Sequence, residues 1–241
     1  MKIKQVVFVT AHPDDESIWM GGTLNFLNKL KGVTPFVICM TGRNDPKRFS
    51  EFRNAMRVAN IKDWVVGDMD IPKNGTIPLN DIQGVFDRSL EELQLNPEDI
   101  DLLVTHPFYG DEHEHLQHKQ LFNHFFQLDF PFAFFSSMTI PLEMLSIMKD
   151  MKRLYNTHLI NAAELKNFIA THYLQFKVDE DVKKRMLLQY NSINLEEHLQ
   201  GYAAWDSYVE GLYFKDSKAF DCFMSFVEQM PTPGGPTLFL R

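Results

Sequence analysis

Short apolar runs alternating with helix-periodic stretches constrain this chain more than any other feature. "KQVVFVT", "TPFVICM", "KDWVVGDMDI" and "DIDLLVTHP" read as strands. Between them lie "GTLNFLNKLKG", "DPKRFSEFRNAMRVANI" and "LNDIQGVFDRSLEELQLN", the last with Leu79, Ile82, Val85, Phe86 and Leu90 at helical spacing. Such alternation is the pattern of right-handed strand-helix-strand units around a parallel sheet. The fold class expected is α/β, a Rossmann-like open, mostly parallel sheet flanked by helices. The Phe-rich window "FPFAFFSSMTIPL" (130–142) reads as one more buried strand. Farther on, "NAAELKNFIATHYLQF" and "DEDVKKRMLLQYNSINLEEHL" read as helices, and "PTPGGP" as a loop, so the C-terminal part is expected to be largely helical.

A length of 241 residues and a hydrophobic fraction of 44% suit one domain over 1–241, with a sheet core in 1–130 and a substrate-shaping part in 131–241. The formal charge of −8, with no Lys/Arg cluster, argues against nucleic acid as a partner. Two cysteines make no disulfide framework, and Cys39 sits in an apolar run, which suits a reducing cytoplasm. The first apolar stretch is too short for a secretory signal, and no segment has the length of a membrane span. A homo-oligomer is an open expectation, with Trp205, Tyr208, Tyr213 and the aromatics of 130–135 as interface candidates, although core packing explains most such clusters.

The first strand runs straight into "VTAHPDDES" (9–17), which places His12, Asp14, Asp15 and Glu16 at its carboxyl tip, where open parallel sheets bind ligands. A cation would neutralise acids that burial alone penalises heavily. An imidazole and a carboxylate three residues apart can turn onto one ion, a donor set suited to zinc or a related divalent metal. One aspartate can ligate while its neighbour stays free as a base, and spacing leaves open which does which. The bland alternative, acids capping a helix that starts near Ser17, accounts for one acid but not for His12 or the second aspartate.

The fourth strand opens into "THPFYGDEHEHLQHKQLFNHFF", with His106, His113, His115, His118 and His124. His115 and His118 stand three residues apart at a helix start, with Leu116, Leu121, Phe122, Phe125 and Phe126 as the apolar face behind them. One of the pair can complete a site of three protein ligands, the open type that catalytic zinc uses. His124, His158, His172 and His198 read as ordinary solvated or satisfied side chains.

"AHPDDE" at 11–16, directly after the first strand and followed by "GGT" at 21–23, resembles the opening motif of the PIG-L/LmbE-like deacetylases, metal-dependent enzymes that remove N-acetyl groups from glucosamine-containing substrates. "HLQH" at 115–118 is similar to that family's His-x-x-His motif, with Leu116 and Gln117 where Pro-Asp is usual. The resemblance implies an LmbE-like fold, metal ligands His12, Asp15 and His118, Asp14 as general base, and His115 at the oxyanion or the leaving group. It further implies a substrate-holding arginine in the helix after the second strand. Arg53 is the match taken, with Met56 where a glutamate is usual. The activity implied is release of acetate from an N-acetylglucosamine-type amino-sugar, a small-molecule substrate, with Zn2+ or another divalent metal such as Fe2+. Proton delivery to the departing amine falls to Asp14 or His115.

Three rivals stand beside this reading. A dinucleotide-binding module lacks its G-x-G-x-x-G after the first strand, and acids at that tip would repel a pyrophosphate. A noncatalytic carbohydrate-binding relative has no need of a free base. A hydrolase of another small N-acyl amide would use the same residues.

Overall fold

The computed structural model describes residues 4–71, 75, 77–108, 115–136, 173–192, 209–227 and 238–240. The N-terminal half alternates as its periodicity requires: β1 (Lys4–Thr10), α1 (Asp15–Asn28), β2 (Val33–Cys39), α2 (Pro46–Val58), β3 (Asp63–Val66), α3 (Leu79–Glu92), β4 (Ile100–Thr105), α4 (Leu116–Phe126) and β5 (Phe132–Ser136). After them come β6 (Tyr173–Lys177), α5 (Glu180–Leu187), β7 (Val209–Phe214), α6 (Ser217–Val227) and β8 (Leu238–Leu240). The eight described strands form one sheet in the order β3-β2-β1-β4-β5-β7-β6-β8. The first five are parallel, and β7, β6 and β8 extend the edge antiparallel.

Helices cover both faces, so the parallel strands carry apolar side chains on both sides. Val6 and Phe8 of β1 pack with Ile18, Leu24, Phe52 and Met56 from α1 and α2, together with Met186 and Phe223 from α5 and α6. Val7 and Val9 point the other way, onto Ile82, Val85 and Phe86 of α3 and Leu121, Phe122 and Phe125 of α4. The period-2 alternation of one strand thus builds two cores.

The C-terminal half departs from the helical expectation over Tyr173–Lys177, which is a strand. Its backbone is taken up on both sides, pairing with β7 and with β8, and that non-local pairing overrides the local helical pattern. The window at 130 is a strand as expected, and Phe132, Phe134, Phe135 and Tyr213 are buried, with Phe134 and Tyr213 stacked at 5.0 Å. Those aromatics belong to the core; Trp205, Tyr208, His113, His158, His172, His198 and the "PTPGGP" segment lie outside the described residues. No described helix is long and apolar enough to cross a membrane.

Helix α1 is held by a buried ion pair between β7 and α5, which packs on the same face of the sheet. Glu210 of β7 accepts the Gly22 and Thr23 amides at 3.0 and 2.7 Å and also the Thr23 hydroxyl, while Lys183 of α5 sits 2.9 Å from its Oε1. Gly22 is required by close approach: a Cβ there would lie 2.2 Å from Cβ of Val178.

The chain moves outward from β1 through β2 to β3, then returns to place β4 on the other side of β1. The loops after β1 and β4 therefore leave adjacent parallel strands at the topological switch point, in the crevice where such sheets hold ligands.

Candidate metal centre

After β1 the backbone turns sharply. Asp14 has φ 123° and ψ −33°, a region that L side chains rarely adopt, and its side chain makes no capping bond to α1. Backbone strain of this kind costs about 1–3 kcal/mol and concentrates at functional sites. The helix-cap explanation for Asp14 is therefore unmet. Asp15 instead folds back, its Oδ2 accepting the His12 amide at 2.7 Å, which closes the loop on itself.

From the other loop, α4 starts at Leu116 with His115 as its N-terminal flanking residue, and the first turn carries His118 inward. His12 Nδ1 and His118 Nε2 lie 3.4 and 3.3 Å from Asp15 Oδ2, and 3.3 Å from each other. Asp15 and His118 are buried and His12 is partly open. A tetrahedral zinc with bonds of ~2.0–2.1 Å sets its ligand atoms about 3.3–3.4 Å apart. Two imidazoles and one carboxylate at this spacing fit such an ion, and as three donors they would leave a position open.

The electrostatics divide the two aspartates. Burial works against the charge on Asp15, but the attraction of the His118 imidazole leads the contacts that outweigh it and hold this carboxyl well below the usual range. Asp14 goes the other way. Burial and then the Asp15 charge push it well above the usual range, opposed by the guanidinium of Arg48 at 3.4 Å. Glu16, fully buried, is raised by burial to about 7, although Ser17, Tyr190 and the Asp14 amide all donate to it; the Tyr190 hydroxyl does so at 2.7 Å.

Of the residues singled out from sequence, His12, Asp14, Asp15, His115 and His118 share this one crevice. The His115 ring lies 4.7 Å from that of His118 and 6.0 Å from that of His12. His124 is distant from them in role, its Nε2 2.7 Å from Gln83 Oε1. Arg53 has its Nη2 3.4 Å from Ser50 Oγ. It is Arg48, about 140° away around α2 at ~100° per residue, that meets Asp14 and donates to the Pro13 carbonyl. A signal for Arg48 existed: Glu51 follows it three residues on, the arginine–glutamate spacing that Arg53 lacks, and Glu51 accepts the Ser192 amide at 2.8 Å. Gln117, at the motif's departure, donates to the Gly75 carbonyl at 3.1 Å.

A family model described as GlcNAc-PI de-N-acetylase, PIG-L, matches residues 7–128, just over half of the 241-residue chain. The chain belongs to the PIG-L family. The matched span runs from β1 through α4, so this PIG-L chain carries both loops of the candidate centre inside it. Among solved structures it is similar to the zinc-inhibited form of teicoplanin deacetylase Orf2, at 12% identity and TM-score 0.50, covering 88% of this chain and 97% of that one. The A40926 pseudoaglycone deacetylase Dbv21 is similar at 13% identity and TM-score 0.50, with the same coverage. These likenesses show the LmbE-like fold. A comparison with curated protein sequences finds no match.

Proposed function

We propose that this protein is a metal-dependent N-deacetylase acting on an N-acetylglucosamine-type amino-sugar. The observation that carries the reading is the triangle of His12 Nδ1, Asp15 Oδ2 and His118 Nε2, 3.3–3.4 Å on each side, beside a carboxylate left out of it. Family membership and the deacetylase neighbours support the reaction class.

When bound, a divalent cation, zinc by its donor set, supplies Lewis-acid polarisation of the amide carbonyl and acidification of a water. The remaining steps fall to side chains. Asp14 accepts the proton of the attacking water, a task for which a carboxyl raised above its ordinary value is suited. His115, at the rim of the triangle, donates to the oxyanion as charge develops there. Collapse releases acetate and the free amine, whose proton comes from Asp14 or His115. Arg48, which faces Asp14, and Arg53, which the resemblance implies, are the two candidates for holding sugar hydroxyls, and the contact with Asp14 favours Arg48.

The test is metal content of the purified protein beside acetate release from a panel of N-acetylglucosamine conjugates. We expect one ion per chain, lost in His118→Ala, and acetate release abolished by chelation and restored by Zn2+. Arg48→Ala is expected to raise KM more than Arg53→Ala. Metal without turnover on any conjugate moves the reading to another N-acyl amide or to a binding role, and a protein that takes up no divalent metal refutes it.

A further inference from the structure

His106 follows β4 directly, is fully buried, and has no part in the chemistry above. Its Nε2 accepts the Ala11 amide at 2.9 Å and lies 3.3 Å from Asp15 Oδ2. Its ring stacks on that of His118 at 3.7 Å and 17°, with Phe135 against it at 5.0 Å. A single ring nitrogen cannot accept from the amide and donate to the carboxylate at once. The amide can only donate, and the shorter distance is its own, so the Nε2 lone pair is committed to Ala11 and the ring proton sits on Nδ1.

An imidazole this near the ligands, yet with that nitrogen occupied, has a different task. Ala11 precedes His12, and His118 comes from a separate loop; His106 touches both. We propose that His106 is a positioning residue that fixes the two ligand loops against each other, sets the affinity of the centre for its metal, and keeps its own nitrogen out of the coordination sphere. The inference rests on the metal reading above. By withholding a fourth protein ligand it preserves the open position that separates a catalytic site from a closed structural one. Partners behind metal ligands commonly govern affinity by about 10- to 100-fold.

Two substitutions separate the parts of this role. His106→Gln keeps a carbonyl acceptor for the Ala11 amide but removes the stacked ring; His106→Phe keeps a ring and removes the acceptor. The experiment is Zn2+ titration of chelator-treated full-length protein by competition with a chromophoric chelator, with far-UV circular dichroism to establish that each variant is folded. We expect Kd for Zn2+ to weaken by about 10- to 100-fold in both, more in His106→Phe, with the bound stoichiometry unchanged at one. A purely structural histidine would lower thermal stability and leave Kd of the folded protein where it was. Wild-type binding with both folded variants within twofold of it overturns this inference alone, and if His106→Phe fails to fold, His106→Gln decides. Absence of Zn2+ binding by the wild type overturns the metal reading and this inference with it.

Discussion

Substituting Gly22 by alanine tests whether α1, which delivers Asp15 to the site, is seated as described. The added Cβ would lie 2.2 Å from Cβ of Val178, 2.4 Å from its Cγ2 and 2.7 Å from its Cγ1. Carbon atoms in apolar contact keep ~3.5–4.0 Å, so the two backbones must part by about 1.3 Å. Val178 cannot swing aside, since the atom closest to the new methyl is its own Cβ. Overpacking of this kind costs about 1–3 kcal/mol, and so severe an overlap belongs at the upper end. Alanine's better helix propensity returns roughly 0.5–1 kcal/mol, leaving a net loss of about 2 kcal/mol. For a chain of this size that lowers Tm by ~4–8 °C. Scanning calorimetry of Gly22→Ala, Val178→Gly and the double variant reads the effect as a cycle. Because Val178→Gly removes all three overlapping carbons, the double variant is expected to be more stable than the sum of singles by at least ~0.5 kcal/mol. A Gly22→Ala protein melting at or above the wild-type temperature, or strictly additive costs, would refute the close approach of α1 to the segment after β6.

Three further outcomes are expected. Asp14→Asn should lower turnover by about 10²- to 10⁴-fold with metal content unchanged, and it should not lower Tm, because it relieves a buried carboxyl that its surroundings oppose; steady-state kinetics with metal analysis checks both, and full activity would remove Asp14 as base. Glu210→Gln should cost about 3–5 kcal/mol in urea unfolding, since it leaves the Lys183 ammonium buried without its partner charge; a loss under ~1 kcal/mol would mean that this charge finds solvent. Glu16 supplies a pH dependence. Its folded-state value of about 7 lies above that of an unfolded glutamate, so its contribution is full below ~4.3 and is lost as pH rises through about 7, by up to ~3 kcal/mol. Urea stability in the presence of a chelator should therefore fall more steeply between those limits for wild type than for Glu16→Gln, and identical slopes would count against the buried carboxyl.

What sequence alone determined about this protein is what local pattern encodes. The period-2 and period-3.6 stripes specify β1 to α4, and "HPDDE" and "HLQH" put candidate donors at two strand tips, because a strand's end and a helix's first turn are properties of a few neighbouring residues. Tertiary structure decided what depends on contacts between distant segments. Tyr173–Lys177 became a strand because β7 and β8 offered hydrogen-bond partners on both sides. Arg48 was brought to Asp14 by the pairing of β2 beside β1, and His106 to Ala11 by the return of β4 on the other side of β1. The division of labour between Asp14 and Asp15 is the clearest case. Adjacent and identical in sequence, they part because one turns toward two imidazoles and the other toward a buried position opposite a guanidinium, and the direction a side chain takes at a strained turn is fixed by everything packed around it.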